Sequence, residues 1–395
     1  MKHLIALTLS ILLLLVPCLT ANAYWDGGFE YTVEDGKATI TAYTGSAVGL
    51  AIPDTLGGYP VVAIGDEAFS DCLTLRTISI PLGIESIGEF AFSRCFFIES
   101  ITIPSSVVSI GSGAFRYCYK LNSISAAAGN PVYSSLDGVL FDKDKTVLVK
   151  YPTGSDHVEY TIPSSVITIG DWAFNSCSEL ERVNLNSKLL TIGVSAFSAC
   201  NKLDNLIIPE GVTQIEAWAF SACSSLADIS LPSTMQVLGE GCFMNCSSLE
   251  SIVLPDSIDY FEDLVFSGCA LLQAAYFEGS TPLSFGEKVF DECHESFTIY
   301  YHVDLSGIWS PNGETEYSEY PIAPYGTHTV LRGDANFDKK VTASDAAHIL
   351  RYVVFLVADE QIDLVAADVN NSGAVTSADA ARILRWIVKL EDNLD

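Results

Sequence analysis

Apolar residues recur along most of the chain with a period of about 23 residues, longer than the period of any single helix or strand. One unit reads IPSSVVSIGSGAFRYCYKLNSIS from Ile103, and another reads IPSSVITIGDWAFNSCSELERVN from Ile162. Further units begin at Ile52, Ile80, Leu185, Ile208, Leu231, Leu254 and Phe277. A repeat of this length predicts a solenoid, because stacked units together bury apolar side chains that one unit leaves exposed.

The shared pattern I-P-x-x-V-x-x-I-G-x-x-A-F-x-x-C-x-x-L-x-x-I-x assigns an element to each part of the unit. The L-x-x-I-x-I stretch predicts a short strand in a parallel ladder, which proline ends because it has no amide to donate. The I-G step predicts a turn, and A-F-x-x-C predicts a helical turn with Phe and Cys on one face. The repeated phenylalanines then form an internal stack of Phe92, Phe115, Phe174, Phe197, Phe220, Phe243 and Phe266.

Nine of the 11 cysteines occupy one slot of this repeat. They are Cys72, Cys95, Cys118, Cys177, Cys200, Cys223, Cys246, Cys269 and Cys293. Such spacing favours small buried thiols stacked above one another, and disulfides between turns are the alternative. The additional Cys242 lies four residues before Cys246, which favours packing over redox chemistry.

Two segments interrupt the repeat. Between the units at Ile103 and Ile162, the stretch VYSSLDGVLFDKDKTVLVKYP (132–152) alternates apolar and polar residues around Asp142–Lys145 and predicts a β-hairpin. FEYTVEDGKATITAY, with Asp35-Gly36 at its turn, predicts a second hairpin that caps the first unit. A cap at the other end is expected from Tyr300 to about Trp309, followed by a linker rich in Pro, Gly and Ser.

The repeating unit resembles the leucine-rich repeats of BspA-like bacterial surface proteins over about residues 50–300. That resemblance implies a secreted or surface protein with a role in adhesion or binding. The residues between the inward isoleucines of each strand are expected on the outer face, because side chains alternate along a strand. This predicts outward pairs at 77/79, 100/102, 123/125, 182/184, 205/207, 228/230, 251/253, 274/276 and 298/300. Tyr276 and Tyr300 are candidate ligand-binding rings, and a place in the end cap is the alternative.

The segment 1–23 has the pattern of a signal peptide. Lys2 and His3 precede an apolar run from Leu4 to Val16, and Ala21-Asn22-Ala23 fits a cleavage site. Lipidation at Cys18 is disfavoured by Pro17. No later apolar run has the length of a membrane span, so we expect a secreted protein without one.

Net charge and motif content narrow the function classes. With 49 acids and 20 Lys plus Arg, the net charge of −29 disfavours nucleic acid binding. The histidines lack zinc-ligand spacing, and the contiguous Ser155-Asp156-His157 cannot form a triad of separately positioned side chains. The pattern therefore predicts a protein that is not an enzyme, although a carboxylate pair on the solenoid remains open.

The tail holds two copies of one motif: DANFDKKVTASDAAHILRYVV from Asp334 and DVNNSGAVTSADAARILRWIV from Asp368. Each has the spacing of a 12-residue calcium loop, with hard oxygens at alternate early positions and an acid at the end. The ligands of the first loop would be Asp334, Asn336, Asp338, the Lys340 carbonyl, Thr342 and Asp345. The ligands of the second would be Asp368, Asn370, Ser372, the Ala374 carbonyl, Thr376 and Asp379. The expected cofactor is therefore calcium, as two ions.

The duplicated tail resembles a type I dockerin over about residues 331–392. The resemblance implies a small all-α module that docks onto a cohesin domain of a cellulosome scaffoldin and can present either helix. It places the cohesin contacts at Ala343, Ser344, Leu350, Arg351, Ser377, Ala378, Leu384 and Arg385. Two departures from the family pattern are Lys339 at a position that usually holds glycine and Ser372 where aspartate is usual.

Together these features predict a signal peptide (1–23), a hairpin cap (24–51), a leucine-rich-repeat solenoid (52–302) with an insertion near 126–161, a cap and linker (303–330) and a dockerin (331–395). The predicted function is a secreted, non-catalytic binding or adhesion protein on a cellulosome or cell surface. Its solenoid ligand would be a polysaccharide, a protein or a cell-surface component. A polysaccharide-degrading enzyme and an inhibitor or spacer are the alternatives.

Overall fold

The computed structural model describes residues 23–325 and, in the tail, residues 341, 345–347, 349–350, 367, 375, 377, 380 and 383. The predicted signal peptide up to residue 22 lies outside the described residues. In the part of the chain that is described, no helix has the length and apolar character needed to cross a bilayer.

Short strands dominate the first half of the solenoid. In chain order they are β1 (Tyr24–Asp26), β2 (Phe29–Glu34), β3 (Lys37–Tyr43), β4 (Gly49–Ala51), β5 (Thr55–Leu56), β6 (Tyr59–Ile64), β7 (Thr77–Ser79), β8 (Ser86–Ile87), β9 (Ser100–Ile103), β10 (Ser109–Ile110) and β11 (Ser123–Ala126). The inserted strands follow as β12 (Tyr133–Leu136), β13 (Val139–Asp142) and β14 (Val147–Lys150).

The second half continues with the same kinds of strand. They are β15 (Glu159–Thr161), β16 (Thr168–Ile169), β17 (Arg182–Asn184), β18 (Thr191–Ile192), β19 (Asn205–Ile207), β20 (Gln214–Ile215), β21 (Asp228–Ser230), β22 (Val237–Leu238), β23 (Ser251–Leu254), β24 (Tyr260–Phe261), β25 (Ala274–Phe277), β26 (Ser284–Phe285) and β27 (Thr298–His302). A 3-10 turn (Val303–Leu305), helix α1 (Ser306–Trp309), β28 (Glu316–Tyr317) and β29 (Tyr320–Tyr325) complete the described solenoid.

Each regular repeat contributes one strand to each of two parallel ladders. The front ladder uses the L-x-x-I-x-I strands and runs in the segments β4-β7-β9-β11, β15-β17, β19-β21 and β23-β25-β27-β29. The back ladder uses the two-residue strands at the I-G step and includes β6-β8-β10 and β14-β16-β18-β20-β22-β24-β26. Paired residues lie one repeat apart, as Ser123 pairs with Ser100. The predicted solenoid is confirmed, and the I-G step carries a second strand that the pattern did not indicate.

The A-F-x-x-C stretch forms consecutive tight turns. Ser93 N donates to Phe90 O at 2.8 Å and Cys95 N donates to Phe92 O at 3.2 Å, so hydrogen bonds span three residues. Phe90 and Arg94 have positive φ angles of 53° and 61°, and equivalent positions repeat this geometry in the other units. A left-handed residue costs about 1–2 kcal/mol. It turns alternate amides toward the next unit, where Phe90 N and Phe92 N donate to Ser112 O and Ala114 O at 3.1 and 2.8 Å.

The core contains the predicted phenylalanines in two separate stacks. Phe69, Phe92 and Phe115 stack at centroid distances of 5.1 and 5.8 Å. A second stack begins at Tyr151, which lies 5.0 Å from Phe174, and continues through Phe197, Phe220, Phe243, Phe266 and Phe290. The insertion separates the stacks, so the single continuous stack that the repeat predicts does not form.

The insertion is a three-stranded antiparallel meander, with two hairpins where the sequence predicted one. β13 pairs with both β12 and β14, and β14 then enters the back ladder beside β16. Asp142 closes the predicted turn, since its carboxylate accepts hydrogen bonds from the amides of Thr146 and Val147 at 2.7 and 2.9 Å. The buried apolar residues form two separate cores, one on each side of the insertion. Alternate side chains of β13 belong to different cores: Leu140 packs into the N-terminal core, whereas Val139 and Phe141 pack into the C-terminal core.

The repeat cysteines are free thiols, as the spacing predicted, and all except the half-buried Cys293 are buried in the described repeats. Each thiol of a regular layer donates to a phenylalanine carbonyl of the preceding unit; for example, Cys223 Sγ lies 3.2 Å from Phe197 O. The cysteine slot therefore links neighbouring units through a weak hydrogen bond rather than a disulfide.

Both ends of the solenoid are covered. At the start, β2 and β3 form an antiparallel hairpin around Asp35-Gly36, both with positive φ. At the other end, Trp309 is buried and donates from Nε1 to Gly279 O at 3.0 Å. The Tyr320 hydroxyl accepts the Phe290 amide at 3.2 Å, which satisfies one donor of the last turn.

Candidate binding surfaces

The outer face of the front ladder changes along the solenoid. Its outward residues are exposed or half-buried from Thr77 to Val253, as alternation along the strands predicts. Ala274 and Tyr276, near the C-terminal end, are instead buried. The hydroxyl-rich and charged part of this face is therefore the part that is open to a ligand.

A groove of about 340 Å³ lies where the front ladder is interrupted between β17 and β19. Leu185, Ile207 and Pro209 contribute apolar surface, and Arg182, Asn184, Asn205 and Glu210 contribute polar groups. The repeat pattern did not indicate this groove. A usable signal was the unit at Leu185, which has Asn186 where seven of the other eight units have proline.

Asn186 takes the place of the proline and joins two units through hydrogen bonds of its side chain. Its side-chain amide donates to Pro163 O at 3.0 Å and to Val166 O at 2.9 Å, and its oxygen accepts the Lys188 amide at 2.8 Å. Asn130 makes the same pair of bonds to Pro104 O and Val107 O beside the insertion. Asparagine in this slot holds neighbouring units together at an irregular position.

The polar side of the groove is held by contacts between adjacent strands. Asn184 Nδ2 donates to Glu159 Oε1 at 2.8 Å and to Thr161 Oγ1 at 3.2 Å. Arg182 Nε lies 3.7 Å from Glu159 Oε2, with both side chains about half exposed. These exposed pairs add little stability, so their donors and acceptors can exchange to a bound molecule at low cost.

The two candidate tyrosines lie together, but they are not equally accessible. The Tyr276 and Tyr300 rings stack at a centroid distance of 5.1 Å, and Tyr325 packs edge-on against Tyr276 at 5.8 Å. Tyr276 retains only 2% of its exposure, whereas Tyr300 is half-buried. This packing fits the end-cap interpretation for Tyr276 and leaves Tyr300 as the accessible ring.

The residues with potential catalytic chemistry have structural contacts instead. Ser155 Oγ lies 3.0 Å from the Tyr151 hydroxyl and accepts the His157 backbone amide at 3.3 Å, so its hydroxyl is engaged in local structural contacts. Burial raises the pKa of Cys223 to about 12 and that of Cys177 to about 11, so these thiols stay protonated near neutral pH. Within the described residues, no group of three His, Cys, Asp or Glu side chains is placed to hold a metal ion.

Three predicted tail residues are described. Asp345, the final acid of the first loop, is helical and completely buried, and the helical residues Ala346 and Ile349 are also buried. Leu350 is 42% exposed, and Ser377 is exposed. The remaining predicted residues lie outside the described residues: Asp334, Asn336, Asp338, Lys340, Thr342, Ala343, Ser344, Arg351, Asp368, Asn370, Ser372, Ala374, Thr376, Ala378, Asp379, Leu384 and Arg385.

Solved structures with a similar fold come from bacterial leucine-rich-repeat proteins. A leucine-rich cell surface protein from Faecalibacterium prausnitzii is 22% identical and matches 75% of this chain and 99% of its own, with a TM-score of 0.44. A leucine-rich-repeat protein from Bacteroides ovatus is 28% identical over 70% of each chain, with a TM-score of 0.47. The pneumococcal vaccine antigen PcpA is 18% identical and matches 77% of this chain and 98% of its own, with a TM-score of 0.45. No curated protein gives a significant match.

Two family models account for the two parts of the sequence. The BspA-type leucine-rich-repeat region matches residues 50–137 and 153–273 in six copies, together just over half of the chain. The gap between these ranges contains β13 and β14 of the inserted meander. The type I dockerin domain, a calcium-binding module, matches residues 332–387. The chain belongs to the BspA-type leucine-rich-repeat family and carries a type I dockerin domain after its solenoid.

Proposed function

We propose that this protein is a secreted, non-catalytic binding protein that is attached to a cellulosome scaffoldin through calcium-dependent binding of its dockerin to a cohesin. The observation that carries the proposal is the dockerin match at residues 332–387, directly after a capped repeat scaffold. In this arrangement the tail determines where the protein is held, and the solenoid determines what it holds.

The donor set of the tail fits calcium. Both loops offer carboxylate, amide, hydroxyl and carbonyl oxygens, which are the hard ligands that calcium prefers. Asp345, the final acid of the first loop, is completely withdrawn from solvent. We assign two calcium ions to the predicted ligand sets that end at Asp345 and Asp379. When bound, calcium supplies the positive charge that holds the acidic loops closed.

The described tail residues fit an amphipathic helix with a free outer side. Ala346 and Ile349 are buried at a spacing of three residues, whereas Leu350 is 42% exposed. An exposed leucine beside small residues suits an apolar protein contact. We therefore assign Leu350 and Ser377 to the cohesin-binding surface with Ala343, Ser344, Arg351, Ala378, Leu384 and Arg385. Equivalent residues in the two copies would allow two orientations of docking.

For the solenoid, the groove between β17 and β19 supports binding of a polysaccharide chain. Its apolar surface can contact sugar rings, and its amide, carboxylate and guanidinium groups can bond to sugar hydroxyls. Tyr300 adds an accessible aromatic ring farther along the same face. Hydrolysis would require positioned catalytic groups, and the contacts of Ser155 and the raised thiol pKa values favour binding alone.

Docking is tested with the full chain and a panel of type I cohesins in calcium and in EDTA. We expect binding in calcium and its loss in EDTA, while circular dichroism of the solenoid is unchanged. A variant with Asp334, Asp345, Asp368 and Asp379 changed to alanine should also fail to bind. The matched control changes four exposed solenoid acids, Glu34, Asp144, Asp256 and Glu295, and should bind normally. Equal binding in EDTA would contradict the proposal.

The solenoid ligand is tested separately with immobilised plant polysaccharides and assays for soluble product. Retention without product release supports a binding protein, whereas released sugar would identify an enzyme. The double change Arg182→Ala and Asn205→Ala should weaken retention, and Arg76→Ala, at an exposed arginine outside the groove, provides the control. Retention that is unaffected by the double change would exclude this groove as the binding surface.

A further inference from the structure

The insertion leaves an incomplete layer in the solenoid. In regular layers, alternate amides of one turn donate to carbonyls of the next; Arg94 N, for example, donates to Arg116 O at 2.9 Å. The insertion supplies strand β14 and Tyr151, whose amide donates to Ala173 O at 2.9 Å. It does not supply an A-F-x-x-C turn of its own. The turn at residues 111–118 therefore lacks the neighbour that would accept its hydrogen bonds.

Three amides of that turn are consequently without acceptors. Among the described residues, the amides of Gly113, Phe115 and Tyr117 make no hydrogen bond, whereas the equivalent amides of Phe90, Phe92 and Arg94 all do. Gly113 and Phe115 are buried, so their amides have little contact with bulk water outside the cavity. A buried unsatisfied amide is costly, and a row of them forms a site for negatively charged oxygen atoms.

A cavity of about 250 Å³ lies at the same junction. One wall is the turn from Ser112 to Arg116, and the other is formed by Lys150, Asp171 and Trp172. Asp171 is exposed and lies at the mouth, where its Oδ2 is 3.4 Å from Ser112 Oγ. The cavity therefore reaches the surface between the two halves of the solenoid.

Arg116 is held rigidly in the wall of this cavity. Its guanidinium carbon lies 4.7, 4.9 and 4.8 Å from the ring centroids of Phe90, Tyr117 and Trp172. Within residues 23–325 it makes no ion pair, and its buried Nε has no hydrogen-bond acceptor. The other described arginines Arg76, Arg94 and Arg182 all face carboxylates. An oriented guanidinium without an acidic partner is suited to a carboxylate or phosphate ligand.

The remaining groups set the polarity of the cavity. Lys150 is only 4% exposed, and its ammonium donates to Trp172 O and Ala173 O at 3.1 and 3.3 Å. Lys150 lies on the wall opposite the turn, and burial lowers the pKa of its amino group. Asp171 accepts the Val194 amide at 2.9 Å and has the opposite charge, so it disfavours an anion at the mouth but can accept hydroxyl donors. The cavity thus has an anion-binding interior and a hydroxyl-accepting entrance.

We propose that this junction cavity binds an acidic sugar, with the carboxylate at Arg116 and the unpaired turn amides and with the hydroxyls at Asp171. The volume is sufficient for about one monosaccharide unit. The site lies on the back-ladder side of the insertion, is distinct from the front-ladder groove, and does not depend on docking to cohesin.

The test is equilibrium dialysis of the full chain with radiolabelled sodium D-glucuronate, with neutral D-glucose and inorganic phosphate as comparison probes. We expect saturable glucuronate binding and at least about tenfold weaker binding of glucose, because a charge-assisted contact is missing. Arg116→Gln should weaken glucuronate binding about tenfold or more. Arg94→Gln, which removes an exposed arginine paired with Asp71 at 3.0 Å, is the matched control and should bind like the wild type.

A second variant separates loss of the site from loss of folding. Ser112→Leu keeps Arg116 but places a larger side chain at the mouth, and it should also abolish glucuronate binding. Both variants should retain the circular dichroism spectrum and calcium-dependent cohesin binding of the wild type. Equal affinity for glucose and glucuronate, phosphate binding without glucuronate binding, or full binding by Arg116→Gln would each overturn the proposal. Absence of glucuronate binding by the wild type would leave only water in the cavity and overturn it as well.

Discussion

The stack of buried thiols should make the solenoid sensitive to alkaline pH. Burial raises the pKa of Cys223 to about 12 from an ordinary value near 9, and it raises the pKa of Cys200 and Cys246 well above that value. An unfolded chain releases these protons near pH 9, but the folded chain retains them. The stability that each protonated thiol contributes is therefore complete below pH 9 and is lost as the pH rises from there toward the folded-state pKa.

The size of the stability loss follows from the difference in thiol pKa between the unfolded and the folded chain. At pH 10, about nine-tenths of each thiol is ionised in the unfolded chain, while the folded thiol remains protonated. Each such thiol therefore lowers the free energy of unfolding by about 1.4 kcal/mol between pH 7 and pH 10. If Cys200 and Cys246 behave like Cys223, the three together contribute roughly 4 kcal/mol. This is a large part of the roughly 5–15 kcal/mol typical of a folded domain.

The measurement is urea unfolding at pH 7 and pH 10, under reducing conditions, of the wild type and of a variant with Cys200, Cys223 and Cys246 changed to alanine. The variant should be less stable at pH 7, because buried sulfur atoms are lost, but its stability should fall by about 4 kcal/mol less at pH 10. The control is a variant in which three serines that each follow a repeat cysteine are changed to alanine: Ser178, Ser224 and Ser247. Because this variant keeps all the thiols, its stability should show the full pH dependence. An equal loss of stability in the cysteine variant and the wild type would refute the reasoning.

Three further outcomes follow from individual contacts. Asn186→Ala should lower the free energy of unfolding by about 1–3 kcal/mol, because the carbonyls of Pro163 and Val166 lose their donor. The control Asn184→Ala, at an exposed position, should change it by less than about 0.5 kcal/mol. Urea unfolding compares the two variants, and equal effects would contradict the role assigned to Asn186. Gly111→Ala should destabilise the N-terminal half by about 1–3 kcal/mol, because a Cβ would overlap the backbone of the preceding turn, and an unchanged melting temperature would refute this. Titration of the full chain with calcium should show two bound ions by calorimetry, and a stoichiometry of one would remove the second loop from the assignment.

The sequence predicts the regular features well because nine units repeat the same residue pattern. The front strands, the phenylalanine and cysteine slots and the outward pairs all follow from one pattern. The back ladder is less visible, since each of its strands contributes only two residues, such as Ser109 and Ile110. A strand of that length has no periodicity of its own to detect.

Irregular features were harder to predict, because their geometry depends on what the neighbouring units lack. The meander could be found from its alternating residues, but the division of Leu140 and Phe141 between two cores could not. Tyr151 occupies a phenylalanine position without the surrounding motif. Arg116 is one variable position in a repeat, and its environment depends on Trp172, which lies beyond the insertion in the chain.

The inserted β13 has a consequence for how the solenoid loses its structure. Its opposite faces belong to separate cores, so the contacts that make each half cooperative stop at this strand. We expect differential scanning calorimetry to record two heat-absorption peaks, one for each block, that is, each core with the repeats that form it. Damage to one block, by heat or by a protease, would then leave the other block folded.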